Sequence, residues 1–282
     1  MQSDGWARDA AALWDIACPS RPGRLPGVNM AGFRAQSTEF VDLQVVPYPA
    51  VTVVVDLGNA LLVDDASGQP KRGSVVAGLA PGSVRGRGRD IECLQIRLSP
   101  VVAHAALGAA SELGATVVAL DDLWGTDALR IQDQLRAAGS WDERFAIAEA
   151  ALGRRREAGR EVDSEVTFAW AQMVTSRGQV RVERLAAEIG WSRKRLWSRF
   201  RSQIGVTPKR AAQLVRFDHA AHRLAAGHRA ALVAAEGGYI DQSHLHRDVM
   251  AFAGVTPTAV AVAPWLAVDD IAWAAPVRAS RT

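Results

Sequence analysis

The chain of 282 residues has two cysteines, Cys18 and Cys93, and six histidines, of which only His104 precedes residue 200. Two cysteines make neither a disulfide framework nor a Cys-x-x-Cys metal site. One histidine before residue 200 leaves no cluster of His and carboxylate ligands there for metal catalysis. No apolar stretch approaches the roughly 20 uninterrupted residues of a membrane span. The N-terminus, MQSDGWARDAAALWD, lacks a basic region followed by an apolar core, so it does not read as a signal peptide. The cytoplasm is the expected compartment. P-loop, Gly-x-Ser-x-Gly and paired-carboxylate signatures are missing as well. The expectation is a chain that is not an enzyme, with no cofactor and no metal.

What is present points to about two domains. Hydrophobic residues make up 49% of the chain, enough for sizeable cores. The net charge of +3 conceals an asymmetry. Ala171 to Trp265 holds 14 Arg and Lys against 6 Asp and Glu, while the remainder holds 19 against 24. A basic part joined to an acidic one is the electrostatic footprint of a nucleic-acid binder with a second function. A solvated basic surface is the plainer alternative, and charge alone does not separate them.

An internal repeat does. AAEIGWSRKRLWSRFRSQIGVTP (Ala186 to Pro208) is echoed by AAEGGYIDQSHLHRDVMAFAGVTP (Ala234 to Pro257). Gly190 matches Gly238, Leu196 matches Leu245, Phe200 matches Val249, and Gly-Val-Thr-Pro recurs at Gly205 and Gly254. Each copy has the pattern of a helix-turn-helix. A short apolar helix (Val182, Leu185, Ala186, Ile189) runs into a Gly suited to a left-handed turn. Ser192 offers a cap to the next helix. Leu196, Phe200 and Ile204 form its buried stripe, four residues apart. Arg193, Lys194, Arg195, Trp197, Ser198, Arg199 and Arg201 fall on the opposite face. Thr207-Pro208 opens a third helix with a cap followed by Pro at the first position.

Residues 1 to about 20 read as a short helix (Trp6, Ala10, Leu13, Trp14), followed by the Pro/Gly break SRPGRLPG. From Val28 to Leu98 the texture is β. The best strands are Val53-Val54-Val55, Leu61-Leu62-Val63 and Ile91 to Leu98, and DDASGQPKRG and APGSVRGRGRD read as loops. Short strands at this spacing suggest a barrel or sandwich. From Val101 to Gly178 the chain reads as helical. VVAHAALGAASEL is one helix, Thr126 caps the next, and Ser140 with Glu143 forms a capping box before a third. Arg154-Arg155-Arg156 reads as a solvated helix end leading to a linker, and Ser164 to Met173 starts the last helices before the repeat.

The two helix-turn-helix copies with Ala-x-x-x-Gly, the Gly-Val-Thr-Pro after each second helix and Asp-Gln-Ser-His in the second copy resemble the AraC/XylS family of bacterial transcription regulators. The resemblance covers about the last third of the chain. It implies a sequence-specific, DNA-binding transcriptional regulator. It also implies an α+β multidomain fold. A β-rich, cupin-like sensor and dimerisation domain with trailing helices would cover residues 1–165, and an all-α double helix-turn-helix domain 166–265, with a C-terminal tail at 266–282. Double-stranded promoter or operator DNA is the expected partner, and no membrane. RNA polymerase, a small-molecule effector and a second copy of the chain are further candidates, with residues 101–178 as the self-association surface.

The positions matching the family's base-contacting ones are Lys194, Trp197 and Ser198, flanked by Arg193, Arg195, Arg199 and Arg201. Lys suits guanine O6 and N7, and Trp can donate one hydrogen bond or pack on a thymine methyl. Arg199 and Arg201 are better placed for phosphates. In the second copy Gln242, Ser243, His246 and Arg247 hold the equivalent face, and Gln suits adenine. The other class of function in view is a small-molecule-binding or enzymatic cupin-like barrel with incidental DNA binding. A polar pocket with titratable groups would favour it, and an apolar pocket would favour a sensor. A DNA-repair protein carrying this module would need a four-cysteine zinc cluster that two cysteines cannot supply. Three further features have a functional and a plainer reading. His219 and His222, three apart on one helix, could share a metal or simply line a helix surface. Cys18 beside Pro19 and near Arg21 is a better candidate thiolate than Cys93, though both read as idle thiols. Arg85, Arg87 and Arg89 could hold an anionic effector or form a basic hairpin loop.

Overall fold

Alternation of side chains along two strands decides how the N-terminal part is layered. The computed structural model describes residues 13–273 except 22, 37–38, 59–60, 65–69, 80–81, 83, 109–112 and 115. Its strands are β1 (Trp14–Ala17), β2 (Val28–Ala35), β3 (Val41–Val45), β4 (Val51–Asp56), β5 (Leu62–Asp64), β6 (Pro70–Arg72), β7 (Val75–Ala77), β8 (Val84–Gly88), β9 (Glu92–Leu98) and β10 (Val117–Ala119). They form one sheet in the order β1-β2-β9-β4-β7-β10 and a second in the order β3-β8-β5-β6. The pairings within both are antiparallel. Because successive side chains point to opposite faces, Val51, Val53 and Val55 of β4 join the core under the helices, while Thr52 and Val54 line a cavity. On β9, Leu94, Ile96 and Leu98 enter that same core, and Cys93 and Gln95 face the cavity.

Among the described residues five helices come next: α1 (Pro100–Leu107), α2 (Leu120–Trp124), α3 (Thr126–Ala137), α4 (Trp141–Ala158) and α5 (Ser164–Thr175). Ser140 Oγ caps α4 by accepting from Glu143 N, and Glu143 reaches back to Gly139 N. Gly32 lets the sheet meet α4, since a Cβ there would overlap the Trp141 ring. The core under this sheet continues through Val166 and Met173 of α5 into Leu185, Phe200, Phe217 and Leu245 of the C-terminal module. At roughly 1.5–3 kcal/mol for each large apolar side chain buried, the two parts are held by packing as well as by the chain between them.

The C-terminal module comprises α6 (Val182–Glu188), α7 (Arg193–Ile204), α8 (Pro208–Ala225), α9 (Ala230–Glu236), α10 (Gln242–Ala253), α11 (Pro257–Ala261) and α12 (Pro264–Ala272). No helix among the described residues is long and apolar enough to cross a membrane.

Some local readings give way to tertiary context. The helix expected over residues 1–20 lies largely outside the described residues, and Trp14–Ala17 is a strand. Pairing with β2 and an edge-on contact of Trp14 with Phe33 override the helical pattern. The helix read over VVAHAALGAASEL stops at Leu107, where Gly108 turns left-handed at φ 74. Residues 109–112 lie outside the described set. Thr126 lies within α3, and Gly125 occupies the cap. Val84–Gly88, read as loop, is strand β8, because Arg85 and Arg87 pair with Asp42 at 2.6 Å and Asp64 at 2.5 Å. Pro70–Arg72, also read as loop, is the short strand β6 beside β5. Arg155 is tucked in rather than solvated: it stacks 4.7 Å from the Trp124 ring centre and bonds Asp127 at 3.2 Å.

Candidate nucleic-acid interface

Each module is built on the same local chemistry. Gly190 and Gly238 take φ of 68° and 73°, the left-handed turn that a Cβ disfavours. Ser192 Oγ accepts from Arg195 N at the start of α7, and Asp241 Oδ1 accepts from His244 N at the start of α10. Thr207 and Thr256 cap α8 and α11 in the same way, each followed by Pro at the first helical turn. Leu196, Phe200 and Ile204 of α7 and Leu245, Val249 and Phe252 of α10 are buried stripes. Phe217 of α8 stacks on Phe252 at 5.0 Å, which seats the second module on the connecting helix.

Burying those stripes turns the other faces outward. Arg193, Lys194, Arg195, Trp197, Ser198, Arg199 and Arg201 are all exposed on α7, and Gln242, Ser243, His246 and Arg247 are exposed on α10. Several cations are held in place. Arg195 lies 4.4 Å from the Trp191 ring centre and Arg201 lies 5.2 Å from that of Trp197. Arg193 is 3.5 Å from Glu183. Arg199 makes a two-pronged bond to Asp163 at 2.7 and 2.8 Å, which holds the Asp163 carboxyl below its ordinary range. In this structure Arg199 therefore points at the N-terminus of α5. Lys194 has no ion pair among the described residues.

Residues 185–261 match the family model of a helix-turn-helix domain. The C-terminal module therefore carries a helix-turn-helix domain. Among curated proteins no significant sequence match is found. Similar solved structures include ToxT from Vibrio cholerae at 1.65 Å, with 11% identity, 84% of this chain and 99% of that chain covered, and a TM-score of 0.47. ToxT from V. cholerae O395 bound to (E)-4-(8-methylnaphthalen-1-yl)but-3-enoic acid is another, at 11% identity, 86% and 99% coverage and a TM-score of 0.47. The AraC-like transcriptional activator CuxR matches at 17% identity, 85% and 93% coverage and a TM-score of 0.30.

The helix-turn-helix domain also brings forward residues that sequence reading passed over. A groove between its two modules is lined by Arg193, Lys194 and Trp197 of α7, Lys209, Gln213 and Arg216 of α8, and His244 of α10. Lys209, Gln213 and Arg216 recur at helical spacing, so the stripe was available in the sequence. Arg216 is committed elsewhere: it bonds the buried Asp248 at 2.9 Å and lies 4.7 Å from the Tyr239 ring centre. Ile240, just before α10, is 88% exposed. Nothing in its local pattern separates it from an ordinary turn residue.

The other sites considered resolve differently. Cys93 is buried and its thiol is pushed up to about 12, while burial also raises Cys18. A depressed pKa is what a reactive thiolate needs, and neither cysteine has one. Arg85 and Arg87 are occupied by carboxylates, and Arg89 sits 6.0 Å from the Phe40 ring centre. His222 faces Asp218 and Asp269 rather than sharing a ligand with His219. Between the two sheets lies a cavity of about 120 Å³. Among the described residues its lining is apolar, with Tyr48, Thr52, Cys93 and Gln95 as the polar exceptions.

Proposed function

We propose that the chain is a sequence-specific transcription regulator that reads DNA through α7 and α10 and senses a small uncharged molecule in its barrel. The DNA-binding reading rests on the matched pair of modules, each presenting an exposed polar face on its second helix. In the major groove every base pair offers a distinct donor and acceptor pattern. Lys194 is assigned to guanine, Trp197 and Ile240 to thymine methyl groups, and Gln242 to adenine. Ser198, Ser243 and His246 complete the two reading faces. Arg193, Arg195, Arg201, Arg247 and Lys209 are assigned to phosphates, and Arg199 joins them only by leaving Asp163. Helix α8 has 18 residues, about 27 Å at 1.5 Å each, against about 34 Å for one turn of DNA. Two successive grooves on one face are within reach with some bending. Asp241 at the head of α10 thins the positive field there, so the second module contributes less to phosphate binding.

Selection of genomic fragments by the full chain, at roughly physiological salt, tests this. Specific sites should outcompete other DNA by ~10³ or more. One motif with two half-elements about a turn apart is expected, and no enrichment would overturn the reading. On the recovered site, Lys194→Ala should relax preference at one position by about 1–3 kcal/mol. Arg201→Ala should weaken all sequences alike and lower the salt slope by about 0.9. Equal loss of preference from both would remove that division of roles.

The sensor reading rests on the cavity lining. Among the described residues no carboxylate, guanidinium or ammonium faces it, and an unpaired ion would be costly to bury there. An apolar cavity of ~150 Å³ accepts a benzene-sized ligand, so a single-ring, uncharged molecule suits this one. Benzyl alcohol is expected to raise the melting temperature and perturb fluorescence from Trp14, which lines the cavity. Benzoate, equal in size but charged, should bind at least about tenfold more weakly. Equal binding of the two would displace the uncharged class. An enzymatic barrel is disfavoured because the titratable lining groups, Tyr48 and Cys93, are both driven toward their neutral forms by burial.

A further inference from the structure

Helix α12 leaves the DNA-binding module and runs back to the barrel, packing against α8, β1 and β3. Its Asp269 accepts a hydrogen bond from Arg97 of β9 at 2.6 Å, with the two side chains 4% and 13% exposed. The Arg97 guanidinium lies 3.6 Å from the Tyr48 ring centre and 4.1 Å from that of Trp273. Asp269 Oδ2 lies 3.5 Å from His222 Nε2, and His222 Nδ1 is 2.9 Å from the Asp218 carbonyl oxygen. Asp269 and Asp218 raise His222 to about 9, so it carries its proton at neutral pH. One line of contacts therefore joins a barrel strand, the C-terminal helix and the helix between the two reading modules.

Tyr48 belongs to both ends of this line. It touches Arg97, and it lines the barrel cavity together with Trp14, Leu43, Val45, Cys93 and Gln95. Those same residues line a smaller cavity bounded by Arg97, Asp269 and Trp273. A second contact sits nearby, where Gln44 of β3 donates to the Ala253 carbonyl at the end of α10 at 2.9 Å. Stability alone accounts poorly for the junction. Arg97 Nε is buried without a hydrogen-bond partner, and apolar residues of similar volume often serve stability as well or better than a buried ion pair.

We propose that Arg97, Asp269 and His222 form a clasp that carries the state of the barrel cavity to α8, with α12 as its strap. The proposal rests on the reading of that cavity as the effector site. An occupant that shifts the Tyr48 ring alters the stack on Arg97, and with it the hold on Asp269 and His222. Helix α8 sets the spacing of α7 and α10, so the clasp biases how the two modules meet DNA. A ligand acts only to the extent that it binds one state of the clasp better than the other.

The test uses the full chain, with a substitution in place of an effector. Ala77 of β7 lines the cavity, and Ala77→Phe fills much of it. Ala77→Leu is the milder version should the ring prevent folding. Each is made alone and together with Asp269→Asn, which keeps the shape and removes the charge. Hydrogen exchange of the α8 amides reads the clasp without DNA. The cavity substitution should change α8 protection about two- to thirtyfold when Asp269 is present, and leave it unchanged in the Asp269→Asn background. Equal changes in both backgrounds, or none in either, overturn the clasp. DNA affinity of the same proteins keeps the two readings apart. A chain that binds no DNA but retains the Asp269-dependent exchange change keeps the clasp and loses the regulator reading.

Discussion

Asp248→Ala is expected to cost about 3–5 kcal/mol of unfolding free energy, because it leaves a buried guanidinium without its partner. Asp248 and Arg216 meet at 2.9 Å with side chains 11% and 15% exposed, and Tyr239 covers the guanidinium. Tyr239 is itself pushed up to about 12 by burial, so the surroundings are poor in solvent. The pair ties α8 to α10, and its loss would also loosen the second reading helix. Asp248→Asn should cost less, since an amide oxygen can still accept from Arg216. Arg216→Met combined with Asp248→Ala should recover most of the stability, because removing both charges also removes the desolvation penalty. DNA affinity should recover with it, since Arg216 is held by Asp248 and Tyr239 and is assigned to neither bases nor phosphates. Urea denaturation of the three variants, with DNA titrations beside it, measures both effects. A loss under about 1 kcal/mol for Asp248→Ala would mean that water screens the pair as it does at a surface.

The helix-turn-helix domain was legible because its information is local. Gly190 and Gly238 mark the turns, Ser192, Thr207 and Thr256 mark helix starts, and Leu196, Phe200 and Leu245 mark buried faces, all at fixed spacing in two copies. The barrel was legible only as texture. Alternation on Glu92–Leu98 gave a strand, but it could not say that Cys93 and Gln95 face a cavity while Leu94 and Ile96 face helices. Trp14 sat in a helical pattern, and its partner Phe33 comes from β2, 19 residues on. The clasp was not legible at all. Arg97 and Asp269 stand 172 residues apart, and no local period connects them.

The same distinction governs the reading face. Periodicity correctly turns Arg193 to Arg201 outward, since Leu196 and Phe200 are buried. It cannot tell which cations remain available. Asp163 takes Arg199 from outside the repeat, in a bond set by how α5 packs beside α7. A phosphate must compete with that carboxylate for the same guanidinium, which makes Arg199 a costlier contact than Arg201.

Gly178→Ala is expected to destabilise the chain by about 3 kcal/mol or more, against about 1 kcal/mol for Gly190→Ala. Both glycines adopt the left-handed backbone, at φ 73° and 68°, so both substitutions carry the same strain of placing a Cβ there. They differ in surroundings. A Cβ at Gly190 meets nothing within 4 Å. At Gly178, where the chain passes from α5 to α6, it would overlap the Ala212 carbonyl oxygen and press on Arg216 N. Those atoms belong to the backbone of α8 and cannot swing aside as a side chain could. The first module would have to shift on α8, and that spacing is what the reading helices depend on. Gly178→Ala should therefore reduce DNA affinity even where the protein remains folded, while Gly190→Ala should leave affinity nearly intact once its smaller stability loss is allowed for. Thermal denaturation and DNA titration of the two variants decide it. Equal losses from both would mean that backbone conformation dominates, and that the approach of α8 to this turn has room to relax.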